Sequence, residues 1–308
     1  MKYQAALKWL IPPIGILALF AILMGLFYET PGAPYPITSF RGEEVMINAQ
    51  GLYDYDTVSS AAQMQGNDFI ALILGLPLLV ISSVMAGVYP AGRGGSLRGR
   101  LLLTGTMGFF LYTYLSMSML TAYNILFLVY VALFTMSLYA FILCMLSFDL
   151  QDLPRHFSNE LPRGWIAGVL FAVGGFLLLA WVGRVVPELL NPQAPAALEN
   201  TTTRVIQALD LSLIAPLAVL SGILLLRRSA WGYLLSSVTI LKGLTMALAV
   251  STMAINMALR GVPDSMAIMV PFLILTLLNL VIALALLKNI REDVYRAPHI
   301  AGVSKPEI

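Results

Sequence analysis

The stretch SSVTILKGLTMALAV, residues 236–250, is apolar enough to form the middle of a membrane-spanning helix. Its one ionisable side chain is Lys242, whose ammonium group would lie where hydrocarbon surrounds the helix. A charge at that depth is costly, and such residues generally face the interior of a bundle or a wet cavity. The stretch therefore predicts a bundle of membrane helices that supplies Lys242 with a partner or a cavity.

The composition of the whole chain agrees with a membrane protein. Of its 308 residues, 59% are hydrophobic and 11% are charged, and the mean hydropathy is +0.84. A soluble domain carries about 25% charged residues. The net charge of +2 gives no indication of nucleic-acid binding. The single cysteine, Cys144, excludes an intramolecular disulfide and a cysteine-based metal cage, and the sequence does not identify any cofactor.

Apolar stretches of about 20 residues, the length that crosses a hydrocarbon core of about 30 Å, recur about eight times. The predicted spans run from Trp9 to Tyr28, Asp68 to Tyr89, Arg100 to Met119, Asn124 to Leu146, Trp165 to Val186, Gln207 to Leu226, Trp231 to Met257 and Met266 to Lys288. The predicted fold class is therefore all-α, a polytopic transmembrane helix bundle.

The distribution of Lys and Arg predicts the orientation of this bundle. One side of an eight-span arrangement carries Lys2, Lys8, Arg93, Arg98, Arg100, Arg155, Arg163, Arg227, Arg228, Lys288, Arg291, Arg296 and Lys305. The other side keeps mainly Arg41, Arg184, Arg204 and Arg260. Cytoplasmic loops are richer in Lys and Arg. We therefore expect an integral protein of a plasma or inner membrane, with both termini in the cytoplasm and membrane lipids as its surroundings.

This topology divides the chain into six parts. They are a first transmembrane helix (1–28), an extracytoplasmic cap segment (29–67), transmembrane helices two to four (68–146), a cytoplasmic loop (147–164), transmembrane helices five to eight (165–288) and a cytoplasmic tail (289–308). The cap segment contains the apolar run Val45 to Ile47, followed by Leu52 and Tyr53. Long connections are usually functional or disordered. The apolar residues favour a small ordered cap, and a plain connecting loop is the alternative.

An internal repeat is a further prediction. The second and sixth spans each begin near an acid, Asp68 or Asp210, which an in-span proline follows. A basic turn and another long span come next in both halves. The pattern favours two parallel halves of four spans, related by an axis along the membrane normal; chance resemblance between apolar spans is the alternative. Aligning Gly99 with Gly232 pairs Lys242 with Phe109, so the lysine belongs to the second half alone.

Lys242 lies eleven residues after Trp231, which places it about 17 Å into the membrane at about 1.5 Å per residue. The candidate ligand-binding residues are polar groups at or above this depth on the predicted outer side, together with the lysine itself: Lys242, Asp210, Asp68, Arg184, Tyr112, Tyr114 and Asn279. They predict a polar vestibule beneath the cap segment. Two structural alternatives stay open: a buried ion pair between Asp210 and Lys242, and an i,i+4 pair between Arg184 and Glu188.

Motifs of known chemistry are missing from the sequence, which has no phosphate-binding loop, no HExxH and no GxSxG. No catalytic or metal-ligating residues are therefore predicted. The leading hypothesis is a membrane protein that binds and transports a small molecule or ion through the outward vestibule. One alternative is a membrane-embedded enzyme that acts on a lipid or lipophilic substrate. Another is a receptor or assembly subunit without catalytic activity.

Overall fold

The computed structural model describes residues 2–39, 41–89, 95–191, 198–263 and 265–292. Three basic residues that the sequence assigns to the cytoplasmic side, Arg93, Arg296 and Lys305, lie outside these ranges, as does the predicted tail from residue 293 onward.

The described residues form a helical bundle with one small hairpin. The helices are α1 (Gln4–Phe27), α2 (Val58–Ile70), α3 (Leu76–Met85), α4 (Leu97–Leu120), α5 (Phe127–Leu146), α6 (Arg163–Leu190), α7 (Val205–Leu209), α8 (Ala215–Leu226), α9 (Ala230–Leu259) and α10 (Ser265–Lys288). The strands β1 (Tyr35–Thr38) and β2 (Glu44–Ile47) pair antiparallel. The all-α class is confirmed.

Among the described residues, seven helical segments are long and apolar enough to cross a membrane, which makes the chain a polytopic membrane protein. They are Gln4–Phe27, Val58–Met85, Phe127–Leu146, Arg163–Leu190, Val205–Leu226, Ala230–Leu259 and Met269–Lys288. Helix α4, the remaining predicted span, has 24 residues, as many as α1. It is more polar than the seven because it buries hydroxyl groups, among them those of Thr104, Thr113 and Ser116, against neighbouring helices.

Two of the seven segments are interrupted in the same way. A π turn, Ala71–Gly75, joins α2 to α3, and a second π turn, Asp210–Ile214, joins α7 to α8. In each case a proline, Pro77 or Pro216, is the second residue of the helix that follows. Proline has no N–H and its ring clashes with the carbonyl four residues earlier, and a widened turn relieves that clash. The two acids occupy different positions relative to the π turns. Asp68 lies about one helical turn before its π turn, whereas Asp210 is the first residue of its own.

Two glycines at helix starts make close contacts of the same kind. Gly99 at the start of α4 lies against the backbone of Met85, and Gly232 at the start of α9 lies against the backbone of Leu224. A Cβ at either glycine would collide with that backbone, so both positions need glycine for close approach. One apolar core gathers α1 to α5, and a second gathers α6, α8 and α10 with the first parts of α4 and α9. Helices α4 and α9 pack against each other between them.

The two ends of the bundle differ in character. The hairpin end carries β1 and β2, whose neighbouring loop buries Leu52 and Tyr53. Helix α2 begins at this end, at Val58, ten residues before the predicted span. The opposite, basic end joins α4 to the end of α10. There the amides of Leu97 and Arg98 donate to the Glu292 carboxylate at 3.0 and 2.9 Å, and the Arg98 guanidinium donates to the carbonyl oxygens of Leu287 and Ile290.

Candidate functional site

Lys242 lies near the middle of α9, on the face that packs against α4. Gly108 of α4 is close by, and a Cβ there would lie 3.5 Å from Cγ of Lys242. One turn further along α4, the ring of Tyr112 receives the ammonium group, with Nζ 4.1 Å from the ring centroid. This is a cation–π contact of close geometry. Lys242 also keeps part of its surface uncovered by other residues.

Asp210 is held beside Tyr112 by two hydrogen bonds. The Tyr112 hydroxyl donates to Oδ1 at 2.6 Å, and the indole N–H of Trp181 donates to Oδ2 at 2.9 Å. The carboxylate is 8% exposed. Its position at the first residue of the π turn, with helix α6 supplying Trp181, brings three helical segments together at one acid. Tyr112 therefore contacts both the cation and the anion.

The ion pair between Asp210 and Lys242, one of the two structural alternatives, does not form directly. Ion pairs within 4.0 Å among the described residues do not include this one. Tyr112 lies between the two charges. Its ring faces the ammonium group of Lys242, and its hydroxyl donates to the Asp210 carboxylate. No described residue accepts a hydrogen bond from Nζ of Lys242, so its three N–H donors are not committed to acceptors in the part of the chain that the structure describes.

A cavity of about 840 Å³ opens at the hairpin end of the bundle. Its lining includes Val45 and Met46 of the hairpin, the start of α2, Trp181 and Arg184 of α6, Glu199, Arg204 and, beyond the end of α9, Arg260. Trp181 thus borders the cavity with its ring and bonds Asp210 with its N–H. A cavity with aromatic, apolar and cationic walls therefore adjoins the Asp210–Tyr112–Lys242 cluster.

The charged groups around this cavity are paired differently from the sequence-based alternative. Glu188 bonds Arg204 through both of its carboxylate oxygens, at 2.6 to 3.1 Å, and not Arg184. Arg184 is exposed, and no ion pair to another described residue involves it. Arg260 donates to Asn48 at 3.1 Å and to the side chain of Gln65. The first pair joins α6 to the segment before α7, and Arg260 joins the end of α9 to Asn48 beneath the hairpin and to Gln65 of α2.

Asp68 belongs to a separate cluster. Its Oδ2 accepts a 2.6 Å hydrogen bond from the hydroxyl of Tyr53, and the carboxyl group is 3% exposed. Tyr114 stacks on Tyr130 at 6.4 Å between ring centroids, and both rings lie close enough to interact electrostatically with Asp68. A Cβ at Gly25 of α1 would collide with Asp68. The structure therefore divides the predicted acids between two sites.

Asn279 lies apart from both clusters. It is buried and donates to the Leu275 carbonyl of its own helix at 2.9 Å, with its oxygen facing Gly243. Asn279 therefore packs α10 against α9 beside Gly243, the residue that follows Lys242, and does not line the cavity.

Asp56 is a buried acid at the hairpin end that sequence reasoning passed over. Its Oδ1 accepts from the Ala122 amide at 3.2 Å and from the Ser60 hydroxyl at 3.1 Å, which ties the loop after α4 to the start of α2. Burial raises the pKa of Asp56 to about 6, and the two hydrogen bonds oppose that shift. The acid therefore titrates between weakly acidic and neutral pH.

Three members of the cavity wall and clusters, Trp181, Tyr53 and Glu199, were not predicted. A signal existed for Trp181, because it precedes Arg184 by three residues and so shares its helix face. No comparable signal pointed to Tyr53 or Glu199. Among the described residues, no three His, Cys, Asp or Glu side chains are grouped so as to hold a metal ion.

Comparison of the chain with known protein families, with curated proteins and with solved structures gives no match.

Proposed function

We propose that this membrane protein binds a small anionic solute in the hairpin-end cavity and transports it across the bilayer. The observation that carries the proposal is the contact between this cavity and the mid-span cluster through Trp181. One side chain borders a cavity of about 840 Å³ and also bonds the acid beside Lys242. Cavities of this size are typical of small-molecule sites.

The sign of the ligand follows from the charges on the cavity wall. Arg184, Arg204 and Arg260 face it against Glu199. Guanidinium groups bind carboxylates and phosphates through paired N–H donors, and a cavity lined by one sign of charge concentrates the opposite ion. Arg204 already holds Glu188, which leaves Arg184 as the guanidinium best placed to meet a ligand first.

Lys242 supplies the second cation, deeper in the bundle. A cation–π contact stabilises the ammonium without using up its N–H donors, so an anion can still accept from them. The Asp210 carboxylate stabilises the ammonium group from beyond Tyr112 and also repels a bound anion, which favours release of the ligand. Transport needs binding that is strong enough for entry and weak enough for release.

The proposed topology places the cavity on the outer side of a plasma or inner membrane. It has α4 as the eighth span, both termini in the cytoplasm and two parallel halves, α1 to α5 and α6 to α10. Supporting observations are the paired π turns, the paired glycine contacts and the basic residues gathered at the end opposite the hairpin. Helix α4 has the length for about 36 Å of membrane at about 1.5 Å per residue.

The test uses the purified full chain in proteoliposomes. Succinate, phosphate and sulfate are each applied from outside in a concentration jump, and transport current and ligand-induced thermal stabilisation are recorded. We expect at least one anion to give both signals. Lys242→Met should lower the current at least tenfold. The matched control Lys8→Met changes an exposed lysine at the basic end and should leave the current unchanged.

The possible outcomes separate the functional alternatives. Stabilisation by an anion without current would support binding and refute transport, which favours a receptor. Absence of both signals for all three anions would refute the proposal. Equal loss in Lys242→Met and Lys8→Met would show that the mid-span lysine has no particular part in it.

A further inference from the structure

Asp68 is a buried acid that has no cationic neighbour among the described residues. Its carboxyl group is 3% exposed and lies between α1 and the residues beneath the hairpin. An ionised carboxylate in such surroundings is strongly disfavoured unless a cation or several donors compensate it. The one hydrogen bond described for its side chain comes from the neutral hydroxyl of Tyr53.

The titratable groups that face Asp68 can be named element by element. The loop after β2 contributes Tyr53, α4 contributes Tyr114 and α5 contributes Tyr130. From α1 the contact is Gly25, which has no side chain. Helix α9 packs against α2 at Gly66, and no charged group of its described residues acts on Asp68. Asp56 lies one step further away, beside Tyr130, and adds negative charge rather than positive. Within the described residues, the surroundings of Asp68 are therefore phenolic, apolar and acidic.

The second half of the chain gives an internal comparison. Asp210 also accepts a 2.6 Å bond from a tyrosine, but it has a second donor in Trp181, and Lys242 lies on the other side of that tyrosine. When Gly99 is aligned with Gly232, the residue of α4 equivalent to Lys242 is Phe109. Phe109 is fully buried and contacts Gly75, in the π turn after Asp68. The first half thus has an aromatic ring where the second half has a cation.

We propose that Asp68 is a proton-binding site, which holds a proton at neutral pH and exchanges it with the hairpin side of the membrane. The carboxyl O–H bond forms on uptake, and on release the proton leaves to water and the carboxylate remains. Tyr53 is the positioning residue, because its hydroxyl bonds the carboxyl group in both states. Burial and the neighbouring Asp68 raise the pKa of Tyr53, which keeps that hydroxyl protonated as a donor.

The exchange route lies through the residues beneath the hairpin. Tyr53 belongs to the loop that α2 follows, and its backbone carbonyl accepts from Asn48 at 3.1 Å. Asn48 in turn accepts from Arg260, which borders the cavity. The hairpin end is therefore the side from which water would reach Asp68, past the Tyr53 hydroxyl.

The test is infrared difference spectroscopy of the full chain in lipid, parent minus Asp68→Asn, at neutral pH. We expect the carbonyl stretch of a protonated carboxyl group, which shifts in D2O and disappears as the pH is raised. The matched difference, parent minus Asp210→Asn, should show carboxylate bands instead. Carboxylate bands in the Asp68 difference at neutral pH would overturn the proposal.

Two further variants keep the test informative. Phe109→Lys places a cation where the second half has one, and the protonated-carboxyl band should be lost. Tyr53→Phe should move the pH at which the band disappears, whereas a purely structural tyrosine would leave that pH unchanged. Neither readout depends on anion transport, so the proton site can stand if the proposed function fails, and the reverse also holds. Retention of the band in Phe109→Lys, with the fold intact, would contradict the electrostatic argument.

Discussion

The contact between Tyr112, Lys242 and Asp210 predicts the energetics of a double-mutant cycle. Tyr112→Phe removes the 2.6 Å hydrogen bond to the carboxylate but keeps the ring under the ammonium. A hydrogen bond to a charged group contributes about 1.5–3 kcal/mol, and we expect the free energy of unfolding to fall by that amount. Tyr112→Leu removes the ring as well, and with it a desolvated cation–π contact that contributes about 2 kcal/mol more.

Lys242→Met supplies the other arm of the cycle. Without an ammonium group, the excess cost of Tyr112→Leu over Tyr112→Phe should shrink by about 2 kcal/mol, leaving the difference in packing alone. Unfolding is followed by circular dichroism during titration of the detergent-solubilised protein with denaturing detergent, for all six combinations. Coupling below about 0.5 kcal/mol would be within ordinary additivity and would refute the claim that the ring stabilises the charge.

Three more predictions concern the ends of the bundle. Glu292→Ala should cost about 0.5–2 kcal/mol by uncapping α4 and should speed hydrogen exchange at its first amides; unchanged exchange there would show that the cap is unimportant. Because the folded pKa of Asp56 lies above its unfolded value, its stabilising contribution is present at pH 4 and lost as the pH rises through about 6. At roughly 1.4 kcal/mol per pKa unit, and with part of the effect already lost at pH 4, parent stability should fall by about 2 kcal/mol between pH 4 and pH 7 relative to Asp56→Asn, as measured by unfolding at each pH. In a background without Cys144, a cysteine at Tyr55 should be labelled from outside intact cells and one at Arg155 should not; labelling of both from one side would reverse the topology.

The helical class could be predicted because apolar runs of membrane length leave few alternatives to helices. The position of Lys242 near the middle of a span could also be predicted, since depth along a helix is a matter of counting residues. Its neighbours could not. Which side chain faces it depends on how α4 rotates and how closely it approaches, and Gly108 and Tyr112 decide that jointly.

The misassigned pairs show the same limit. Arg184 and Glu188 are four residues apart on one helix, which is a sound local argument for a pair. Glu188 instead bonds Arg204, sixteen residues away, because the chain after α6 turns back and offers a bidentate guanidinium. Local spacing predicts what two residues are able to do, whereas the return of the chain decides which contact forms. The split of the two acids between separate clusters has the same origin.

The π turns have a consequence for chain length. A single-residue insertion is enough to produce such a turn in an α-helix, and each residue turns the helix by about 100°. Deleting one residue between Ala71 and Gly75 would restore a regular helix and swing α2 around its axis relative to α3, so that Asp68 would no longer point toward Tyr53. The same deletion between Leu211 and Ile214 would turn α7 while α8 stayed in place. The direction in which each acid points is therefore set by the number of residues in the helix, and a deletion could re-aim it with every functional side chain still present.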